Sequence, residues 1–372
     1  MAYTPTPLFA GDLHDNATRL AAQLAQHTRG FPTVAPPPEG SEGWRQMLAL
    51  GWQGVWIAEA DGGFGASLTD LAAIVEALGS HALTAPLIAR AGVVPAVLGP
   101  FAAQPAVRAL LEAHASGEAS IAPVLSTSGA LLTTAPVRPT RNAQGQLQGA
   151  LRTVDLTEPA SHLLFVVQGA DGQAELVLSE AAPLLAQARH YSSNDGRRCA
   201  DLDVGGLSLP DGAVLARGET VERALAAGQA AGSLLACVEA VGMAASLVTQ
   251  TIDYLNTRVQ FGVALSTFQA LRHRLVEMYV AYENSYGLIR HLVTAHSAAP
   301  QPLADILTAR LYLNQVSRQV GESAIQLHGG MGMTTETLAS RLAVRAISTA
   351  FDQGDSAQCL DWLCAQTLAQ AA

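Results

Sequence analysis

The sequence predicts a mainly α-helical α+β protein in which a β domain lies between two helical domains. Before residue 118 and after residue 218, apolar residues recur at i, i+3, i+4 and i+7, which is the spacing of helices with a buried face. From 119 to 217, short apolar runs are separated by Gly, Asn, Asp and Pro. Such runs, bounded by turn residues, are typical of a small antiparallel β domain.

The N-terminal helical domain, residues 1–118, is predicted from three segments and the glycine-rich connection between the first two. The helical segments are "GWRQMLALGWQGV", "TDLAAIVEALGSHA" and "AVRALLEAHA". The connection, "WIAEADGGFGASLTD", offers Ser67 or Thr69 as a helix cap, because a hydroxyl oxygen can accept from the free N–H groups of a first helical turn.

The β domain is predicted over 119–217 and the C-terminal helix bundle over 218–372. The strand candidates are "SIAPVLSTS", "GALLTTAPVRPT", "GQLQGALRTVDL", "HLLFVVQGA" and "AELVLSE". The bundle pattern is interrupted near "SAAPQPLAD" and "LHGGMGMTTET", so it predicts several helices rather than one long one.

Composition argues against several classes of function. The chain has 372 residues, 49% of them hydrophobic, and a net charge of −10, which argues against nucleic acid as a partner, because phosphate-backbone binding needs clustered cations. Its four cysteines form no CxxC pair, so we expect reduced thiols and no metal site. No basic region followed by an apolar run opens the sequence, and we expect a cytoplasmic protein.

One segment resembles a membrane span by composition. Residues 224–248, "ALAAGQAAGSLLACVEAVGMAASLV", carry Glu239 as their single charge. The Ala, Gly and Ser content makes the segment weakly hydrophobic, and it continues into the polar stretch "TQTIDYLNTR". We therefore expect a buried helix and no integral membrane segment. Its glycines Gly228, Gly232 and Gly242 could leave room for a ligand, but close helix packing is the preferred interpretation.

Two motifs carry the candidate binding residues. The stretch "RVQFGVALSTFQALRHR" brings together Arg258, Gln260, Phe261, Phe268 and Gln269. By itself it has a structural interpretation, in which Arg258 suits a helix C-terminus and the two phenyl rings fill core. The second motif, "QLHGGMG", contains Gln326, Gly329 and Gly330, and a glycine-rich backbone allows close approach of a phosphate or a flat ring.

Together these motifs resemble the C-terminal half of the acyl-CoA dehydrogenases, which are FAD flavoproteins. The stretch "GVWIAEADGGFGASLTDLAAIVEALGSHALTAPL" is similar to the N-terminal part of that family, and the order of helices, sheet and helices agrees along nearly the whole chain. The resemblance implies that the residues of the first motif contact FAD bound mainly by a neighbouring subunit. It also implies that Gln326, Gly329 and Gly330 lie against the ADP portion.

The resemblance implies α,β-dehydrogenation of an acyl-CoA thioester to a 2-enoyl-CoA by a homotetramer or heterotetramer, with an electron-transfer flavoprotein as acceptor. The run "GDSAQCL" resembles bacterial members that act on steroid-derived or other bulky acyl-CoA thioesters. A non-catalytic partner subunit that completes another chain's FAD site is the main alternative. An oxidase that passes electrons to O₂ is a further one.

Removal of the α proton requires a base. Where many family members have a glutamate in a Tyr-Glu-Gly-Thr-like run, this chain has "FDQGDSAQ", with the amide Gln353 at that place. Glu239 is the predicted base, because an ionised carboxylate in an apolar helix is costly unless it is paired or used. Asp352, Asp355, or no base in this chain are the alternatives, with Glu239 then in an ion pair or exposed.

The separation of Glu239 and Arg258 has a consequence for assembly. They are 19 residues apart in sequence, or roughly 28 Å along a continuous helix. If both function, they serve two different FAD molecules, which requires at least a dimer.

Overall fold

The computed structural model describes residues 3–26, 39–125 and 138–371. These residues form two compact units, each built from separate stretches of chain. The first contains residues 3–26, 68–83 and 234–359, and the second contains the remaining described residues. The predicted class, mainly helical with a sheet in the middle of the chain, is confirmed. The predicted boundaries at 118 and 217 stay a prediction.

Eleven helices with α geometry occur in the described residues. They are α1 Asp12–Gln26, α2 Glu42–Ala49, α3 Leu68–Gly79, α4 Val94–Leu98, α5 Pro105–Ser116, α6 Ala181–Leu185, α7 Glu219–Thr257, α8 Gln269–Ala298, α9 Leu303–His328, α10 Leu338–Thr349 and α11 Ser356–Ala371. A π-helical stretch, Ile88–Val93, precedes α4. The sequence pattern did not predict α1, and it extended the helix α2 beyond its end at Ala49.

The strands follow the predicted runs closely in the centre of the β region. They are β1 Ile121–Val124, β2 Thr140–Arg141, β3 Leu147–Gln148, β4 Ala150–Asp155, β5 His162–Gln168, β6 Ala174–Glu180, β7 Arg189–Ser192, β8 Arg198–Asp203, β9 Val214–Arg217, β10 Val259–Gln260 and β11 Val263–Ala264. Most of the predicted run "GALLTTAPVRPT" falls on residues 126–137, outside the described residues.

The second unit contains two sheets. One has the order β3-β2-β5-β6-β9, with β1 paired to β5, and the other has the order β4-β8-β7. The prediction of an antiparallel domain is wrong in one respect, because β1 and β2 both run parallel to β5. Hydrophobic alternation does not report strand direction, and a parallel pair needs a long connection rather than a hairpin.

Strand β5 is buried on both faces and organises the core of the second unit. Leu164 and Val166 belong to one apolar cluster, which includes residues of α4 and α5. Leu163, Phe165 and Val167 belong to a second cluster, which includes residues of β4 and β8. Because side chains alternate along a strand, one continuous apolar run can contribute to both clusters.

Helix α7 is the long apolar helix of the chain, with 39 residues. Among the described helices it is the one that is long and apolar enough to cross a membrane, and its most apolar window of 18 residues has a mean hydropathy of 1.8. That window is 94% buried inside the protein, so the prediction of a buried helix is confirmed.

In the first unit, the N-terminal segment before α1 is held by a buried carboxylate. Both oxygens of Glu76, on α3, accept from the backbone N–H of Leu8, at 3.0 and 2.9 Å. The hydroxyls of Tyr282 and Tyr286, on α8, donate to the carbonyls of Thr6 and Pro7 at 3.5 and 3.4 Å. The segment is thereby tied to two different helices.

Candidate functional site

The motif that begins at Arg258 forms a β-hairpin directly after α7. Strands β10 and β11 pair antiparallel, and Phe261 and Gly262 fill the two-residue turn with φ angles of 55° and 81°. Positive φ at both central positions is the mark of a type I′ hairpin turn. Because a bulky side chain seldom adopts positive φ, the turn holds Phe261 in a strained conformation.

The two phenylalanines of the motif lie together at the surface of the chain. Phe261 is 91% exposed and Phe268 is 37% exposed. Their rings meet edge to face with centroids 6.1 Å apart, a favourable geometry for aromatic pairs. The core-filling interpretation is therefore wrong for Phe261, and the ring pair is accessible to a flat ligand or to another chain.

Arg258 follows the last residue of α7 and is exposed. Its backbone N–H donates to the carbonyl of Tyr254 at 2.9 Å, and its carbonyl accepts from Leu265 at 2.9 Å. Within the part of the chain that the structure describes, its guanidinium forms no hydrogen bond or ion pair. Arg272 and Arg274, in the first turns of α8, are exposed as well.

The amides of the hairpin motif are also exposed. Gln260 donates through its side chain to the carbonyl of Val259 at 2.8 Å, and Gln269 begins α8. The other four predicted residues of this motif are thus exposed, as Arg258 is.

In the glycine motif, the three glycines have three different structural situations. Gly329 has a φ of 57°, which favours a residue without a side chain. A Cβ at Gly332 would lie 2.4 Å from the carbonyl oxygen of Ile325, whereas a Cβ at Gly330 would meet no described atom within 4 Å. The chain's own packing therefore does not require glycine at position 330, and its bare backbone fits the close approach of a group from outside the chain. Gln326 is exposed on the last turn of α9.

The two motifs meet through a pair of aromatic rings. The ring of His328, at the end of α9, stacks on that of Tyr254, on α7, with centroids 4.6 Å apart and planes at 28°. Tyr254 lies one turn before Arg258, and His328 directly precedes Gly329. Sequence reasoning missed both residues, although the i, i+4 spacing of Tyr254 and Arg258 was a signal.

The predicted base, Glu239, is buried and paired with Arg345 of α10. Both side chains are 6% exposed. The Arg345 Nη2 lies 2.9 Å from Oε1 and 3.1 Å from Oε2 of Glu239, and Nε lies 3.1 Å from Oε1. An adjacent guanidinium favours the ionised carboxylate. This is the ion pair that the sequence offered as the alternative role, and the base assignment stays a prediction.

The other carboxylates near the C-terminus have different surroundings. The Asp352 carboxylate lies 3.6 Å from Nη1 of Arg345 and is 22% exposed, so it shares its cation with Glu239. Asp355 caps α11, because its carboxylate accepts from the backbone N–H of Gln358 at 2.9 Å. Between them, Gln353 adopts a positive φ of 54°.

A second buried arginine, Arg310 of α9, fixes the turn that carries Asp352 and Gln353. It is 1% exposed, and its Nη2 donates to the carbonyls of Thr349 and Asp352, the latter at 2.7 Å. These hydrogen bonds to backbone carbonyls compensate part of the buried cation, whereas its Nε has no hydrogen-bond partner among the described residues. The sequence pattern gave no sign that Arg310 would be buried.

Helices α3 and α7 cross with their backbones almost in contact. A Cβ at Gly242 would lie 2.3 Å from the carbonyl oxygen of Glu76, and a Cβ at Gly79 would lie 2.7 Å from that of Glu239. In the second unit, a Cβ at Gly228 would lie 2.5 Å from Val97 Cγ2. The packing interpretation is therefore confirmed for Gly228 and Gly242.

Comparison with known sequences gives one family model and several relatives that match parts of this chain. Residues 220–363 match the family model "Acyl-CoA dehydrogenase, C-terminal domain". The acyl-CoA dehydrogenase FadE28 of Mycobacterium tuberculosis is 28% identical over 294 residues, 78% of this chain and 82% of that protein. The acyl-CoA dehydrogenase IpdE2 of the same organism is 35% identical over 104 residues, 28% of this chain. The match spans about a third of that relative, 31% of its length.

Solved structures resemble nearly the whole chain. A glutaryl-CoA dehydrogenase from Mycobacterium smegmatis in complex with FADH2 has a TM-score of 0.82 at 18% identity, covering 98% of this chain and 96% of that one. A steroid acyl-CoA dehydrogenase variant has a TM-score of 0.79 at 23% identity, covering 97% and 98%. At these identities the likeness shows a common fold.

Proposed function

We propose that this chain, whose residues 220–363 match the C-terminal domain of the acyl-CoA dehydrogenases, is an FAD-dependent enzyme of that family that converts an acyl-CoA thioester to a 2-enoyl-CoA. The observation that carries this proposal is the stack of Tyr254 on His328, which brings the two cofactor motifs into one region of the first unit. Motifs that are about 70 residues apart in sequence are then available to one ligand.

The residues present fit FAD. Arg258 offers an uncommitted cation for a phosphate, since guanidinium groups bind phosphate with charge-assisted hydrogen bonds. Phe261 and Phe268 offer apolar rings to a flat group, and the open backbone at Gly330 permits close approach. Gln260, Gln269 and Gln326 supply amides for neutral polar atoms. When bound, FAD supplies the acceptor for the β hydride.

Removal of the α proton is the step that needs a side chain of the protein. Glu239 could accept that proton only after separating from Arg345, because the guanidinium contacts both of its oxygens. Asp352 contacts the same arginine at a longer distance and is more exposed. Because both carboxylates contact Arg345, variants of Glu239, Asp352 and Arg345 can distinguish these two candidates from a base supplied by another chain.

For the substrate, we propose an acyl-CoA thioester from the steroid-derived or otherwise bulky class. Support comes from the "GDSAQCL" run and from the fold shared with a steroid acyl-CoA dehydrogenase. We also propose an electron-transfer flavoprotein as acceptor, a homotetramer or heterotetramer as the assembly, and a cytoplasmic location. The exposed Phe261 supports an assembly in which a neighbouring subunit or its cofactor covers the hairpin.

The test is direct. Purified protein should be yellow, or should take up added FAD, and anaerobic addition of the right acyl-CoA should bleach the flavin absorbance. A colourless protein that takes up no FAD contradicts the proposal. A protein that binds FAD but is bleached by no acyl-CoA until it is co-expressed with a related chain is a partner subunit. Rapid reoxidation of reduced flavin in air would indicate an oxidase instead.

A further inference from the structure

We propose that His328 is a positioning residue that fixes the start of the glycine motif against the hairpin, so that one bound cofactor meets both. This inference rests on the proposed function. It assigns to the stack of His328 on Tyr254 the role of holding the two binding segments together.

The first support is the position of the ring. His328 is 5% exposed, and its Nδ1 lies 2.8 Å from the carbonyl oxygen of Ala324. The carbonyl of Gln250, on α7, is also within hydrogen-bonding reach of the ring. The imidazole therefore lies between the last turn of α9 and the last turns of α7, with Tyr254 against its face.

The second support is the protonation state. Burial lowers the pKa of His328, while the hydrogen bonds to Ala324 and Gln250 raise it by a smaller amount. A neutral imidazole donates through one nitrogen only, so one of the two carbonyls receives a full hydrogen bond. The stack on Tyr254 is then a contact between two neutral rings, which the Phe side chain can imitate.

The third support is the way in which the rest of the glycine motif is anchored. Ser340, at the start of α10, donates to the carbonyl of Met331 at 3.0 Å. Arg341 donates to the carbonyls of Thr335 and Glu336 at 3.0 and 3.2 Å. These contacts hold the far end of the segment. His328 holds the near end, which contains Gly329 and Gly330.

The experiment compares the full-length wild type with variants of His328 and Tyr254. The FAD dissociation constant is measured by quenching of flavin fluorescence, and the flavin circular dichroism bands are recorded as well. We expect His328→Leu to weaken FAD binding about tenfold, the size expected from losing an aromatic pair. Tyr254→Leu should weaken it similarly. The double variant should bind FAD no more weakly than the weaker-binding single variant, because both changes remove the same contact.

Two further variants separate positioning from general stability. His328→Phe retains the stack and should bind FAD within about threefold of the wild type. His296→Leu is the control, since His296 is a half-buried histidine whose Nδ1 accepts from the backbone N–H of Gln301 at 3.1 Å. It should lower stability comparably without changing FAD affinity.

The inference is overturned if His328→Leu is folded and binds FAD as the wild type does, or if His296→Leu weakens binding equally. A wild-type protein that binds no FAD overturns the proposed function together with the inference. If His328→Leu does not fold, Tyr254→Leu tests the same stack from α7, and unchanged binding in that variant overturns the inference.

Discussion

Glu239 and Arg345 form a buried ion pair in which the guanidinium contacts both carboxylate oxygens, at 2.9 and 3.1 Å. Removing one partner of such a pair leaves an uncompensated buried charge. The carboxylate that the sequence predicted as the base is therefore also a structural residue. This structural role and the predicted role as base can be separated only by changing the arginine as well.

The first prediction concerns that pair. Glu239→Gln should lower the free energy of unfolding by about 3 kcal/mol, because Arg345 loses its main partner. Adding Arg345→Met should restore most of the loss, since uncharged side chains of similar size can replace a buried pair. Denaturant unfolding of the two variants measures both values. Equal stability of the single and double variants would contradict the structural role.

The double variant also decides the base. If Glu239 takes the α proton, the stable double variant should stay about 10² to 10⁴ below the wild type in the rate of flavin reduction. Activity that returns together with stability assigns the base elsewhere. Asp352→Asn and Asp355→Asn are the parallel variants, and Asn at position 355 should keep the cap of α11, because Asn is as good an N-cap as Asp.

The second prediction is for the hairpin cation. Arg258→Ala should lower FAD content and weaken FAD binding by about tenfold or more, through the loss of a charge-assisted contact. The helical circular dichroism signal should be unchanged, since Ala is a good helix former. Arg318→Ala is a suitable control, because Arg318 is an exposed arginine in an ion pair with Glu322 on α9. Unchanged FAD affinity in Arg258→Ala would leave the residue its helix-end role only.

The third prediction uses the contrast between two glycines of the same motif. A Cβ at position 330 would meet no described atom within 4 Å, whereas position 332 is packed against the backbone of Ile325. Gly330→Ala should leave stability within about 1 kcal/mol of the wild type while weakening FAD binding, because its Cβ would project into open space. Gly332→Ala should destabilise the protein, since its Cβ would lie 2.4 Å from a backbone oxygen. Thermal unfolding and FAD titration measure the two effects. Unchanged FAD binding in Gly330→Ala would argue against cofactor approach at that position.

The fourth prediction concerns Glu76 and pH. Burial raises the pKa of Glu76 from 4.5 to about 7, although the backbone N–H groups of Leu8 and Phe9 act in the opposite direction. A raised pKa in the folded state means that this carboxyl stabilises the fold most below its ordinary pKa. Its contribution is lost as the pH rises toward and through about 7, a change of roughly 3 kcal/mol at most.

The Gln variant isolates that contribution. Glu76→Gln retains an oxygen that can accept from Leu8 and has no charge to bury, so the decline between about pH 5 and about pH 8 should be smaller than in the wild type. Denaturant unfolding at several pH values gives the difference between the two proteins. Parallel pH profiles would show that Glu76 does not titrate with a raised pKa.

The elements that the sequence predicted well are those in which the pattern is local. The buried helix α7 and the strands β5 and β6 are rich in apolar residues, and such segments report burial directly. The parallel pairing of β1 with β5 and the unpredicted helix α1 depend on long-range partners. An apolar period cannot report which element a strand lies beside, or in which direction.

The candidate site was predictable to a similar degree. The residues of the hairpin and glycine motifs could be identified because their types and spacing are unusual. The burial of Arg310 and Arg345 could not be predicted, since each is compensated by groups distant in sequence, such as the carbonyl of Thr349 or the carboxylate of Glu239. The same holds for His328, whose environment is set by Tyr254 on another helix.

The contact of α3 with α7 limits how this protein can vary. At the crossing, any side chain at position 242 or 79 would overlap backbone atoms of the facing helix, and backbone atoms cannot rotate away as a flexible side chain can. A substitution there forces the two helices apart along the crossing, and that displacement also moves Glu76 and Glu239, whose backbones form the contact. Natural variants that keep this helix separation should therefore have glycine at both positions, and a chain with a larger residue at one of them should show a wider spacing between its α3 and α7 axes.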